Sequence, residues 1–210
     1  MPIINYASKE IQFKVVYYGP ALGGKTTNLQ YIHSRISPSY RGDLISLATA
    51  ADRTLFFDFL PVNSIVLQGF KTKFQLYTVP GQVIYNTTRQ LVLRSVDGVV
   101  FVADSHWDKM QENVESFRNL EENLGRQHLK LDELPYALQY NKRDLSDVAP
   151  VNYLEFLLNN RRRRVRSFEA VANTGFNVFA ALDAVTQLLL LKFNREHPTL
   201  KPMPAAFPAE

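Results

Sequence analysis

Apolar residues along the chain follow two different periods, which separate predicted strands from predicted helices. Segments with strand character lie at 11–18, 54–60, 70–79, 96–104, 136–140 and 168–172. Apolar residues recur at helical spacing in 108–125 and 177–193, and a further helix is predicted for 25–36, before Ser37-Pro38. This alternation predicts an α/β fold with a six-stranded, mainly parallel sheet and helices on both faces. Because only a short link separates 54–60 from 70–79, we expect them to form one antiparallel hairpin.

The end of the chain differs in composition from the rest. Four prolines follow His197, which favours an extended or flexible segment over a helix. A chain of 210 residues has the size of one ordinary domain. We therefore predict a single domain over residues 1–196 and a Pro-rich flexible tail over residues 197–210.

Composition excludes several classes of function. The chain has no cysteine, which rules out disulfides, zinc–thiolate sites and thiol nucleophiles. No apolar run approaches the roughly 18 residues that span a bilayer. Neither a secretory signal nor a common lipidation motif is present, so we expect a cytoplasmic protein without a transmembrane segment.

The charge balance depends on one cluster of arginines. The formal net charge is +4, and five arginines stand between Arg161 and Arg166. Without them the chain would be near neutral, so we expect no nucleic-acid partner. A solvated loop is the simple interpretation of this cluster, and an acidic partner or an anionic lipid surface is the alternative.

The segment after the first predicted strand has the spacing GxxxxGK[ST] of a phosphate-binding P-loop. It opens the first predicted helix, where backbone N–H groups and the helix dipole attract phosphate. Lys25 is positioned to reach the β- and γ-phosphates, the Thr26 hydroxyl to ligate Mg²⁺, and Thr27 to contact the α-phosphate. The predicted phosphate-binding residues are Gly19, Gly23, Gly24, Lys25, Thr26 and Thr27. The strand–loop–helix context disfavours a plain glycine-rich turn with a surface lysine.

A second motif, Asn-Lys-Arg-Asp at 141–144, indicates which base is bound. The Asp144 carboxylate can accept hydrogen bonds from N1–H and the 2-amino group of guanine, donors that adenine lacks. Asn141 can bridge to the P-loop, and the stem of Lys142 can lie over the base. A backbone N–H near Ala172, after the last predicted strand, can close over the same base. Alone, the motif could be a charged loop, but its place at the carboxyl edge of the sheet favours guanine.

A third motif, Thr-Val-Pro-Gly-Gln at 78–82, stands where a GTPase senses the γ-phosphate. Gly81 can offer its N–H to the γ-phosphate, and Gln82 can orient the attacking water. Upstream, Thr54 is the candidate that completes magnesium coordination, and Arg53 could act as an arginine finger in cis. A Pro-Gly turn and a solvated arginine are the plainer interpretations. With the other motifs, this segment predicts the G domain of a P-loop NTPase.

The motif-bearing segments resemble the MglA family of bacterial motility and polarity GTPases. The resemblance rests on PALGGKTTNLQYI, DRTLFFDFLP, GFKTKFQLYTVPGQVIYN, VDGVVFVADS and QYNKRDL, and it extends from about Ile4 to Leu191. Most small GTPases have an aspartate where this chain has Thr78, and that aspartate holds a magnesium-bound water. Pairing of the hairpin strands across a link near Ile65 would place Asp52 opposite Thr78. Asp52, or as a second choice Asp58, is therefore the candidate for the missing acidic contact.

The resemblance implies a GTP/GDP cycle and a partner. The family's activating partner is MglB, a Roadblock-fold homodimer that supplies no catalytic arginine. Catalysis then rests on the intrinsic arginine and glutamine, which match Arg53 and Gln82. The resemblance does not identify the effector proteins, and it implies recruitment of the protein to a cell pole.

Two other classes of function compete with a switch GTPase. A guanine-nucleotide-dependent binding module with little hydrolysis is favoured by Thr78 and disfavoured by Arg53 and Gln82. A P-loop kinase is disfavoured by the guanine motif and by the absence of an evident lid insertion.

Overall fold

The computed structural model describes residues 2–48, 54–67 and 69–198, and they form one sheet with flanking helices. The strands are β1 Ile3–Asn5, β2 Glu10–Tyr18, β3 Ile45–Ala48, β4 Thr54–Leu67, β5 Phe70–Thr78, β6 Gly98–Asp104, β7 Tyr136–Asn141 and β8 Ser167–Glu169. The α-helices are α1 Lys25–Arg35, α2 Asn86–Leu93, α3 Met110–Gly125, α4 Val151–Leu158 and α5 Val178–Glu196. Within this description, no helix is both long and apolar enough to cross a membrane.

The order of the strands confirms the predicted α/β class. The sheet runs β3-β4-β5-β2-β6-β7-β8, with β1 paired to β2 off this path. The five strands β5, β2, β6, β7 and β8 are mutually parallel. In the described residues the sheet has eight strands rather than six, because the short strands β1 and β3 add to the predicted set. Three pairs are antiparallel rather than one.

Alternation along the central strands supplies two apolar cores, one on each face of the sheet. On β2, Phe13, Val15 and Tyr17 face α1 and α5, whereas Val16 and Tyr18 face the side of α2, α3 and α4. All seven residues of β6 are buried, as expected for a parallel strand covered on both faces. Helices on both faces are therefore confirmed.

Two helices were not predicted from the sequence. Both α2 and α4 have only eight residues, which is about two turns. Two turns leave too few apolar repeats for a helical period to stand out. Both helices pack on the face that carries α3.

The hairpin of β4 and β5 has a register that differs from the expected one. Phe59 pairs with Tyr77, and β4 continues to Leu67 before the turn at Gly69, which has φ +82°. A positive φ suits glycine, so the chain reverses there rather than near Ile65. In this register Asp58, not Asp52, lies opposite Thr78.

Candidate nucleotide-binding site

The P-loop connects the end of β2 to the start of α1 at the carboxyl edge of the parallel strands. Gly24 has φ +100°, and a Cβ placed there would lie 2.1 Å from Nδ2 of Asn141. Glycine is therefore required both by the backbone and by the close approach of β7. The loop is held against the strand end that carries the guanine motif.

Lys25 lies at the first position of α1 with its ammonium group inside the loop. Its Nζ donates to the carbonyl oxygens of Gly19 at 3.1 Å and Pro20 at 2.6 Å. Burial, followed by the nearby charge of Arg89, lowers the pKa of Lys25 to about 7, and the charge of Asp58 offsets part of this shift. A buried cation with so little compensating charge is matched to an anionic ligand.

Asp58 is a fully buried carboxylate that joins the P-loop helix to the hairpin. Its Oδ2 accepts hydrogen bonds from the hydroxyls of Thr26 at 2.6 Å and Thr78 at 2.8 Å. Its Oδ1 accepts one from Ser46 at 2.5 Å, and its backbone N–H donates to Thr78 Oγ1 at 2.9 Å. The first choice for the acidic partner of Thr78, Asp52, is thus replaced by the second, because the hairpin register differs.

Arg89 is a residue of this region that the sequence did not identify. Its side chain is 1 % exposed, and Nε donates to the carbonyl oxygen of Pro80 at 2.8 Å. The guanidinium also donates to the carbonyl oxygen of Gly81 and, at 2.7 Å, to Oδ1 of Asn119 on α3. The only sequence signal was its spacing from the apolar Val92 and Leu93, which is a weak sign in so short a helix.

The contacts of Arg89 orient the backbone of Pro80 and Gly81, in the segment predicted to sense the γ-phosphate. In a trans peptide the C=O and the following N–H point in opposite directions. Holding the Pro80 carbonyl therefore turns the Gly81 N–H away from Arg89. Gly81 itself lies so close to the P-loop that a Cβ there would be 2.2 Å from Cα of Ala21.

Asn141 connects the three segments that surround the predicted base site. Its Nδ2 donates to the carbonyl oxygen of Gly23 at 2.9 Å, and its Oδ1 accepts from the N–H of Ala172 at 2.9 Å. Lys142 is fixed by an ion pair with Asp104 at 2.6 Å. Asp144 is exposed on the loop after β7.

The predicted site residues divide into those that the structure brings together and those that it leaves undescribed. The P-loop, Thr78, Gly81 and the guanine motif converge at one edge of the sheet, with Thr27 and Gln82 half-buried beside them. Arg53 and Asp52 lie outside the described residues. Thr54 begins β4, but its side chain is likewise not described.

The sequence of this chain is similar to those of two known proteins. No family model matches the chain. The mutual gliding-motility protein MglA of Myxococcus xanthus is 52% identical over 195 residues, which cover 93% of this chain and 99% of that protein. The chain belongs to the MglA family of small GTPases. The Ras-related protein rab-39 of Caenorhabditis elegans is 23% identical over 191 residues, covering 89% of this chain and 74% of that relative.

Because Arg89 bonds the carbonyls of Pro80 and Gly81, and Gly81 is the predicted contact of the γ-phosphate, we expect Arg89 to affect nucleotide discrimination. Because lysine keeps the charge but loses the planar fork, Arg89→Lys frees the Pro80 and Gly81 carbonyls and leaves the Gly81 N–H unoriented. We expect the preference for GTP over GDP to fall by about tenfold or more, the equivalent of one lost charged hydrogen bond. Fluorescent-nucleotide competition measures both affinities. Arg94→Lys, at the exposed end of the same helix, is the matched control, and an equal loss of both affinities would contradict the argument.

The burial of Lys25 has a signature in the pH dependence of stability. The unfolded chain keeps this proton to about pH 10.5, whereas the nucleotide-free folded protein releases it near pH 7. The free energy of unfolding of wild type relative to Lys25→Met should therefore rise between pH 7 and 10, by at most about 1.4 kcal/mol per pH unit, and stay level below pH 7. Denaturant titrations in EDTA measure it, with Lys130→Met, an exposed lysine, as control. If the difference in free energy of unfolding between wild type and Lys25→Met stays constant from pH 7 to 10, the expected effect of Lys25 is absent.

Proposed function

We propose that this protein binds and hydrolyses GTP with Mg²⁺ and works as a nucleotide-dependent switch in cell polarity and motility. The relative from Myxococcus xanthus carries gliding motility in its name, which supports the cellular role. The observation that carries the biochemical part is the Asp58 carboxylate. It joins the P-loop hydroxyl of Thr26 to Thr78, the residue that stands where other small GTPases have an acidic side chain.

The donor set at this position fits magnesium. Mg²⁺ prefers oxygen donors, and the described ones here are the Thr26 hydroxyl and, beside it, the Asp58 carboxylate and the Thr78 hydroxyl. Thr54 remains the proposed second hydroxyl ligand from the sequence. The Thr26 hydroxyl donates its proton to the Asp58 carboxylate, the kind of outer contact that orients a metal ligand. Asp58 and Thr78 would hold a metal-bound water, and Asp52 is left without this role.

The nucleotide is held by the loops that converge on the carboxyl edge. Gly19, Gly23 and Gly24 offer backbone N–H groups to the phosphates, while Lys25, Thr26 and Thr27 supply side chains. Asp144 selects guanine by accepting from N1–H and the 2-amino group, which leaves adenine a poor ligand. Asn141 keeps the P-loop and the Ala172 loop in register, and Lys142, anchored by Asp104, lies over the base.

Hydrolysis is assigned to the switch residues. Bound Mg²⁺ would neutralise charge that develops on the β- and γ-phosphate oxygens. Gly81 offers its N–H to the γ-phosphate, Gln82 orients the attacking water, and Arg53 supplies a guanidinium to the transition state. An MglB-like Roadblock homodimer would act as the activating partner by bringing Arg53 and Gln82 to the nucleotide. The protein would then be recruited to a cell pole from the cytoplasm.

Single-turnover hydrolysis tests this assignment. We expect wild type to hydrolyse GTP faster when its Roadblock partner is present, because the partner positions intrinsic residues rather than adding its own. Arg53→Ala and Gln82→Ala should each lower the stimulated rate by about a hundredfold or more while GTP binding survives. Arg35→Ala, in the last turn of α1, is a control that should keep the wild-type rate.

The same assay decides between hydrolysis and binding alone. If wild type binds GTP tightly but never hydrolyses it, even with a partner shown to bind, the protein is a guanine-nucleotide-dependent binding module. Thr78→Asp would then be the first variant to test.

The magnesium role of Asp58 has a separate test. Asp58→Asn keeps the shape but removes the charge, so the Mg²⁺ concentration that half-saturates GTP binding should rise by about ten- to a hundredfold. Affinity at saturating Mg²⁺ should change much less. Asp108→Asn, an exposed residue, should leave both unchanged. If Asp52→Asn rather than Asp58→Asn shifts the magnesium dependence, the assignment to Asp58 is wrong.

A further inference from the structure

A groove lies at the edge of the sheet opposite to the nucleotide site. It encloses about 390 Å³ between the start of β7, the loop before β8 and the last turns of α5. Tyr136, at the start of β7, lines the groove, whereas Asn141, at the end of the same strand, belongs to the base site. Since a strand rises about 3.3 Å per residue, the two sites are on the order of 17 Å apart. Both can therefore be occupied at once.

Cationic side chains dominate the wall of this groove. The groove is lined by the basic residues Arg163, Arg164, Arg166, Lys192 and Arg195. Two acidic residues, Asp132 and Glu133, also line it. Asp132 is already bonded at 3.1 Å to Arg161, whose guanidinium also pairs with Glu121. The net charge of the lining therefore favours an anionic ligand.

The arginine cluster divides into a structural member and members that face the groove. Arg161 anchors the loop to α3 through Glu121 and stacks on Phe117 at 4.9 Å. Arg163 and Arg164 are exposed, and within the described part of the chain they form no ion pair. Unpaired guanidinium forks on a concave wall present geometry suited to carboxylates.

Part of the groove lining is apolar. It consists of Leu134, Pro135, Leu188 and Leu191, of which Leu191 is 65 % exposed on α5. Tyr136 carries a buried hydroxyl without a hydrogen-bond partner among the described residues. A purely inorganic anion would leave this apolar lining uncovered, so the ligand should combine negative charge with an apolar side chain.

We propose that this groove binds an acidic segment of a partner protein that inserts an apolar side chain between the arginines. A concave site of this size accepts a protruding peptide element, whereas a planar lipid surface would touch only the rim. Asp132 and Glu133 on one wall repel a continuous anionic surface but tolerate a peptide whose charge is local. The site is separate from nucleotide binding and does not depend on the proposed hydrolysis.

The test uses the full chain and a panel of short fluorescein-labelled peptides in which leucines at helical spacing are flanked by glutamates. Fluorescence anisotropy should detect binding that weakens with salt and disappears when the glutamates are replaced by lysines. Arg163→Glu should weaken binding by about tenfold or more, since it places like charges together. Leu191→Ser should also weaken it, by removing an exposed part of the apolar lining.

Arg162→Glu is the matched control, because Arg162 is an exposed member of the same run but does not line the groove. It changes the net charge by the same amount and should alter affinity by less than about threefold. Equal losses of peptide affinity for Arg162→Glu and Arg163→Glu would show that long-range electrostatic attraction explains the binding, and this result would overturn the proposal. So would a panel without any binder, or binding only to phosphatidylserine vesicles, which would indicate a membrane contact instead. Retained GTP binding in every variant shows that the fold is intact.

Discussion

The organisation of the carboxyl edge of the sheet, where the candidate nucleotide-binding site lies, depends on one buried carboxylate. Removing Asp58 from water is costly unless its oxygens are hydrogen-bonded, and three hydroxyls satisfy them. Those hydroxyls come from α1, β3 and β5, while Asp58 itself belongs to β4. A slip of one residue along the hairpin would turn Asp58 to the other face of the sheet. The carboxylate therefore ties the hairpin register to the position of the P-loop helix.

Two further buried polar groups extend this arrangement on either side of the P-loop. Asn141 bonds Gly23 and Ala172, so the end of β7 and the loop after β8 are set relative to the phosphate loop. Arg89 bonds Pro80 and Gly81 and reaches α3 through Asn119. Each is satisfied by backbone carbonyls or amides, so each orients a loop that has no regular ladder of its own.

Prediction of the fold from the sequence succeeded where apolar periodicity was long. The helices α1, α3 and α5 and the strands β2, β5, β6 and β7 were expected close to their observed positions, whereas β4 extends to Leu67 instead of ending at 60 and β8 spans Ser167–Glu169 rather than 168–172. The short elements β1, β3, α2 and α4 were not predicted, because three to eight residues hold too little of a period. Because α2 was not predicted, Arg89 was not identified either. Its burial depends on the packing of that helix against α3.

The sequence by itself determined where the motifs typical of a P-loop, a guanine site and a switch segment stand, because each is a set of neighbouring residues whose chemistry is local. Only the tertiary structure decided between Asp52 and Asp58, since strand register depends on where the chain reverses and on which carboxylate finds hydroxyl partners. The tertiary structure also distinguished Arg161, which anchors the loop to α3, from Arg163, Arg164 and Arg166, which line the groove. Contacts between residues far apart in sequence made both distinctions, and no local pattern contains them.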